Sequence, residues 1–369
     1  MVNPPVWRAS THLYENVAAL KAGTLHNEDG RFFYGRRGAP TQWALADALT
    51  ELEPGAAGTM LYPSGVAAIH CALLSVLRPG DVLLMTDNAY DPSRTFANGM
   101  LTQWGVETRF FDPMAGAAIA DLFCDRTRAI LLECPGSQTF EVQDVPAICA
   151  VAKAAGIITL IDNTWATPLF FPALSKGVDI SIVSVTKYIG GHSDLMMGSA
   201  TTHAALWPDL RRTAHALGQV VSPDDAALAA RGLRTLDVRL RQHERGALTV
   251  AQWLKDQAQV RRVLHPALAD CPGHSIWRRD FSGSSGLFSI ELTGDDDAAA
   301  RFVDALELFG IGYSWGGFES LALPVWPARY RTAVPWQSDG PLIRLHVGLE
   351  DPADLIRDLK RGFKAMNAA

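Results

Sequence analysis

The sequence predicts an α/β fold: a large domain on a mostly parallel sheet, followed by a smaller α+β domain at the C-terminus. Three observations carry this expectation. Short apolar runs recur between residues 82 and 185, bounded by Gly, Asp or Asn and separated by stretches with helical spacing. Past about Leu233 that alternation gives way to a long charged segment and a Gly-rich stretch. The chain has 369 residues, more than one ordinary domain holds.

Each element follows in order. The first forty residues read as an irregular arm, with Pro4, Pro5 and a Gly/Arg-rich stretch from Tyr34 to Gly38. Leu45, Ala48, Leu49 and Leu52 have helical spacing, as do Val66, Ile69, Leu73 and Leu77. The runs Val82–Met85, Ala129–Leu132, Ile157–Ile161 and Ile180–Val185 read as strands, and Pro146–Ala155 as a helix between them. Apolar runs without alternation suit a sheet covered on both faces. In such sheets ligands sit beyond the carboxyl ends of the strands. A helix over Val238–Asp256, strands at Ser289–Leu292 and Leu342–Val347, and a turn at Tyr313–Gly317 make up the smaller domain. The expected division is 1–40 for the arm, 41–235 for the large domain and 236–369 for the small one.

Composition narrows the function classes. Hydrophobic residues make up 48% and charged residues 20%, ample for a core. The net charge is −6 and Lys and Arg form no run, which excludes a nucleic-acid footprint. Cys71, Cys124, Cys134, Cys149 and Cys271 are odd in number and unpaired in spacing, against a disulfide framework. No C-x-x-C or His cluster calls for a metal. The first residues lack a signal-peptide pattern and no apolar run could span a bilayer. A cytoplasmic protein is expected.

Two residues point to chemistry. The run Asp179-Ile-Ser-Ile-Val-Ser-Val leads into Thr186-Lys187, and a lysine at a buried strand end must find a partner or lose its charge. A snorkelling lysine is the bland alternative. Ser184 and Thr186 stand at alternate positions before it, and hydroxyls suit a phosphate. Twenty-five residues earlier, the preceding strand ends in Asp162-Asn163-Thr164, where a simple helix cap is the alternative. Together the pair fits pyridoxal phosphate: lysine forms the imine, and a carboxylate keeps the pyridine nitrogen protonated. Pro63-Ser64-Gly65-Val66 opens a helix whose free N–H groups and dipole can cradle a phosphate.

The run Ser184-Val-Thr-Lys-Tyr-Ile-Gly-Gly-His-Ser-Asp194, with Asp162-Asn-Thr-Trp and Pro63-Ser-Gly upstream, resembles the Cys/Met-metabolism family of pyridoxal-phosphate enzymes. The resemblance covers nearly the whole chain. It implies a fold-type I (aminotransferase-like) large domain with a seven-stranded sheet. Further stretches look closest to the bacterial cystathionine β-lyase branch: Phe33-Tyr-Gly-Arg-Arg-Gly38, Gly232-Leu-Arg-Thr-Leu, Arg239-Leu-Arg-Gln-His, Ser282-Gly-Ser-Ser-Gly-Leu-Phe288, Tyr313-Ser-Trp-Gly-Gly317 and Leu342-Ile-Arg-Leu-His-Val-Gly-Leu-Glu-Asp351.

Carried over residue by residue, the resemblance implies that Lys187 bonds the cofactor and acts as base, and that Asp162 pairs with the pyridinium nitrogen. Gly65 and Val66 offer N–H groups to the phosphate, joined by the hydroxyls of Ser184 and Thr186. Val66 stands where related sequences often have Met or Ala. Tyr90 stacks on the ring, and Tyr34 and Arg36 reach the phosphate of a neighbouring subunit in a homotetramer, a dimer of dimers with shared sites. Arg344 binds the substrate carboxylate, close to Tyr313, Ser314 and Trp315. A planar guanidinium matches a carboxylate better than an ammonium would.

The implied reaction is α,β-elimination on L-cystathionine, and on other cysteine S-conjugates, in trans-sulfuration and methionine biosynthesis. A γ-lyase or γ-synthase of the same family is the alternative. From another class, Gly312-Tyr-Ser314-Trp-Gly316 fits a nucleophile elbow, with Asp339 and His346 following in hydrolase order.

Overall fold

The computed structural model describes residues 2–25 and 30–367, so residues 1 and 26–29 of the expected arm and 368–369 of the small domain lie outside the described part. Seven strands form the first sheet: β1 (Gly58–Tyr62), β2 (Val82–Thr86), β3 (Glu107–Phe111), β4 (Thr127–Glu133), β5 (Ile158–Asp162), β6 (Ile180–Val183) and β7 (Gly198–Thr202). Their order is β1-β7-β6-β5-β4-β2-β3, and only β7 runs against its neighbours. The seven-stranded, mostly parallel sheet of the fold-type I expectation is therefore present.

Alternation along each strand explains the apolar runs. Val82 and Leu84 of β2, with Ile130 and Leu132 of β4, enter one core, while Leu83, Met85, Ala129 and Leu131 enter another on the opposite face. The helix Gly65–Val76 covers the second face and the helix Val145–Ala154 the first. Burial on both faces removes any need for polar residues at alternate positions.

The second sheet contains β8 (Val260–Leu264), β9 (Leu287–Leu292), β10 (Leu321–Val325) and β11 (Leu342–His346), in the order β10-β11-β9-β8 and antiparallel throughout. Ile343 and Leu345 of β11 pack with Phe288 and Ile290 under the helices Asp296–Asp304 and Pro352–Met366. Leu342, Arg344 and His346 consequently point to the other face, where Leu342 and Leu287 join the core of the large sheet. The helix Leu236–Lys255 spans both cores: Leu236 and Leu240 pack with the first sheet, and Ala247, Val250, Ala251 and Leu254 with the second. Among the described residues, no helix is long and apolar enough to cross a membrane.

Two local expectations change. The arm is not wholly irregular, because Val17–Leu25 forms a helix and Gly35–Arg37 a 3₁₀ turn. Lys187 is not at a strand end: β6 stops at Val183, and Lys187 lies four residues on in a turn spanning residues 185–190. The backbone leaves the sheet there because the Thr186 N–H and hydroxyl both turn to the Met197 carbonyl, and Gly191 adopts φ +72°. Ser184 and Thr186 therefore do not share a strand face.

Candidate active site

A cavity opens at the carboxyl ends of β4, β5 and β6, where the smaller sheet closes over the larger one. Gly65, Val66, Tyr90, Asp162, Ser184, Thr186, Lys187, Tyr313, Ser314, Trp315 and Arg344, all singled out in the sequence, line this one space.

One end of the cavity is built from the start of the helix Gly65–Val76. Ser64 caps it, its Oγ accepting the Ala67 N–H at 3.1 Å. The N–H groups of Gly65 and Val66 precede the helical ladder and have no intrahelical acceptor. A Cβ on Gly65 would stand 2.7 Å from Ser184 Cβ, so only glycine lets this turn approach the Ser184 hydroxyl. Thr186 contributes less freely. Its hydroxyl donates to the Met197 carbonyl at 3.1 Å and accepts the Met197 N–H at 2.9 Å, which ties β7 to the lysine turn.

At the opposite end Asp162 closes β5. Its Oδ1 accepts both the backbone N–H and the hydroxyl of Thr164, leaving Oδ2 its lone pairs. Thr164 Oγ also accepts the Ser184 N–H at 2.8 Å, locking the two strand ends together. Burial raises the Asp162 carboxyl above the ordinary range, opposed by the Thr164 bonds and the Lys187 charge. A cation placed at Oδ2 would hold it ionised.

Lys187 Nζ donates to Ser314 Oγ at 2.6 Å and lies 5.3 Å from the Trp315 ring centroid. Burial and the Arg344 charge bring its ammonium down to about 8, while Asp162 pulls the other way. Ser314 holds φ +82°, which a side chain seldom tolerates, and its carbonyl accepts Arg344 Nη2 at 3.2 Å. One strained residue thus touches both the lysine and the arginine. Gly316, two residues on, fits so tightly that a Cβ would be 2.8 Å from the Lys187 carbonyl carbon. Arg344 makes no ion pair among the described residues and is largely buried, which leaves its fork free for an anion.

The residues fit pyridoxal phosphate: free first-turn N–H groups beside a hydroxyl at one end, an under-bonded buried carboxylate at the other, and a lysine of lowered basicity between them.

Sequence reasoning missed Glu133 and Thr164. Glu133 closes β4 in register with Asp162, and its Oε2 accepts the Tyr90 N–H at 2.6 Å. Burial, reinforced by Asp162, raises this carboxyl well above its ordinary range. An acid directly after the run Ala129–Leu132, matching Asp162 after Ile157–Ile161, was the available signal.

Tyr34 and Arg36 are not brought to this cavity within the chain. Tyr34 is exposed, and Arg36 donates to the His215 carbonyl at 3.2 Å in a separate cavity with Trp43 and Trp207. The nucleophile elbow is overturned. Gly312–Gly316 forms an irregular turn rather than a strand-to-helix junction, Ser314 Oγ bonds Lys187, and His346 Nε2 faces the Gly316 N–H at 3.0 Å.

Comparison with known proteins gives the family. The chain is 46% identical to cystathionine beta-lyase MetC of Escherichia coli, covering 98% of this chain and 93% of that one. It is 44% identical to cystathionine beta-lyase of Haemophilus influenzae, with 98% and 93% covered. Its fold matches the crystal structure of cystathionine gamma synthase from Xanthomonas oryzae pv. oryzae in complex with aminoacrylate and cysteine, at TM-score 0.90 and 35% identity over 99% of this chain and 93% of that one. The family described as Cys/Met metabolism PLP-dependent enzyme matches residues 1–364, and the chain belongs to that family.

Proposed function

We propose that this enzyme is a carbon–sulfur lyase that performs α,β-elimination on L-cystathionine, giving homocysteine, pyruvate and ammonia with the uptake of one water, and that it accepts other cysteine S-conjugates. The observation that carries the reading is the double contact at Ser314, with Lys187 Nζ on its hydroxyl and Arg344 on its carbonyl. An amino acid held through its carboxylate at Arg344 has its Cα next to the lysine. The identity to two cystathionine β-lyases, higher than that to the γ-synthase structure, supports β- over γ-elimination.

Bound in this cavity, pyridoxal phosphate supplies an electron sink conjugated to Cα. The Gly65 and Val66 N–H groups and the Ser184 hydroxyl would hold its phosphate, Tyr90 would cover its ring, and Asp162 would pair with its ring nitrogen. Lys187 removes the Cα proton and returns a proton to the departing sulfur, so one amine serves as base and then acid. Tyr313 and Trp315 shape the space around the leaving thiol. Product analysis from L-cystathionine tests the reading: pyruvate with homocysteine supports it, whereas 2-oxobutyrate with cysteine would replace it with γ-elimination.

Arg344→Ala should raise KM for L-cystathionine by roughly tenfold or more, because a charge-assisted bond of about 1.5–3 kcal/mol is lost. A smaller apolar residue at Trp315 should shift the kcat/KM ratio between cystathionine and a short S-alkylcysteine while sparing lysine chemistry. Unchanged KM in the first variant and an unchanged ratio in the second would sink the pocket assignment.

The division into a cofactor-binding unit, 41–235, and a C-terminal unit, 236–369, belongs to this reading, as does a cytoplasmic homotetramer. In it Tyr34 and Arg36 of the arm complete the phosphate site of a neighbouring subunit. Mixing inactive Arg36→Ala with inactive Lys187→Ala should restore partial activity, since some hybrid sites inherit both intact residues. Absence of rescue despite demonstrated subunit exchange would count against sharing.

A further inference from the structure

Two histidines lie buried behind the Ser314–Gly317 turn, His243 on the helix Leu236–Lys255 and His346 at the end of β11, with ring centroids 5.2 Å apart. Gly286 passes against both: a Cβ there would be 3.1 Å from His243 Nδ1 and 3.2 Å from His346 Cε1. Neither imidazole carries out a step of the elimination, yet each has one bound and one unbound nitrogen.

The bound nitrogens determine which tautomer each ring holds. His243 Nδ1 is 2.8 Å from the Val347 carbonyl oxygen, which can only accept, so the proton is on Nδ1 and Nε2 keeps its lone pair. His346 Nε2 stands 3.0 Å from the Gly316 N–H and 3.2 Å from the Gly317 carbonyl. It cannot serve both. A proton on Nε2 would meet the Gly316 hydrogen head-on and strand a buried N–H, whereas a carbonyl oxygen tolerates an unused lone pair more readily. His346 therefore accepts at Nε2 and carries its proton on Nδ1. Burial pushes both rings away from the charged form, His243 to about 4 and His346 well below its ordinary value. A neutral pair follows.

The two remaining atoms, His346 Nδ1 and His243 Nε2, are both buried and have no partner among the described residues. One is a donor and the other an acceptor. We propose that one trapped water bridges His346 Nδ1–H to His243 Nε2, and that this relay from the Val347 carbonyl to the Gly316 N–H positions the turn that carries Ser314 over Lys187. The inference rests on the proposed function only for the role of that turn. The tautomers follow from the hydrogen-bond partners alone. Both histidines are positioning residues.

The test begins with the holoenzyme labelled with ¹⁵N-histidine, using two-bond ¹H–¹⁵N correlations, a readout independent of any substrate. Both residues should appear as neutral Nδ1–H tautomers at neutral pH. His346 seen as Nε2–H, or doubly protonated, would overturn the proposal. His243→Phe, which removes the acceptor, should move the His346 Nδ1 resonance and speed its proton exchange; an unmoved resonance would likewise overturn it. In kinetics His346→Leu should lower kcat about tenfold with a smaller change in KM, the scale of one unmade buried hydrogen bond. His346→Gln, whose side-chain oxygen can still accept the Gly316 N–H, should recover most of that loss. Equal loss in the Gln and Leu variants would remove the positioning role. Should the Leu variant fail to fold, the wild-type and His243→Phe spectra decide. If product analysis rejects the lyase reading, the tautomer result still stands or falls by itself.

Discussion

Lys187→Ala is expected to lower turnover of L-cystathionine by at least about 10⁴-fold, roughly 5.5 kcal/mol of barrier, because the proposed mechanism gives one amine the work of cofactor anchor, base and acid together. Pyruvate release at matched cofactor content measures it. Borohydride reduction of the wild-type enzyme followed by peptide mapping should place the pyridoxyl group on Lys187, and a label on another lysine would remove the assignment. The lowered basicity adds a pH signature. Attachment to an aldehyde uses the neutral amine, and burial with the Arg344 charge brings Lys187 down to about 8. Cofactor uptake by the apoprotein should therefore accelerate with rising pH up to about 8 and level off above it, rather than climbing toward the ordinary lysine value of roughly 10.4.

The second large effect is at Asp162. Asp162→Asn keeps the shape of the side chain, and its amide oxygen can still accept the two Thr164 donors that now reach Oδ1. The variant should therefore retain most of its bound cofactor. It cannot hold a proton on the ring nitrogen, because the opposite charge is gone. A nearby carboxylate stabilises a cation by roughly 1–3 pKa units, so the loss in kcat should approach 10³-fold, about 4 kcal/mol. Absorbance of the bound cofactor and kcat, measured on the same sample, separate binding from chemistry. Near-normal turnover with full occupancy would rule the role out.

The residues at the floor of the cavity were legible because each belongs to a short contiguous motif whose residue types make chemical sense together: Ser64 and Gly65 at a helix start, Asp162 at a strand end, Ser184 through Lys187 in one run. The strands β2, β4, β5 and β6 were legible as apolar runs, since both sheet faces are covered. The others carry weaker signals. β7 is Gly-Ser-Ala-Thr-Thr, β3 is an edge strand whose Glu107 and Arg109 are partly exposed, and β10 contains Pro324, which its edge position permits. Glu133 and Thr164 gain meaning only from what stands opposite them across the sheet. The pairing of His243 with His346, 103 positions apart along the sequence, exists only in the folded chain.

The helix that spans both cores has a consequence for dissecting the molecule. Arg239, in its second turn, buries its guanidinium against the carbonyls of Tyr188, Ile189 and Gly232, directly behind the lysine turn. A truncation beginning at residue 236 would therefore release a fragment with Leu236 and Leu240 stripped of their apolar neighbours and a cation stripped of its three acceptors. The complementary piece would lose the brace that keeps its own lysine loop in place. Secreted or co-expressed halves cut at that point should aggregate, and a split that preserves activity must instead fall in a surface loop that leaves this rod whole.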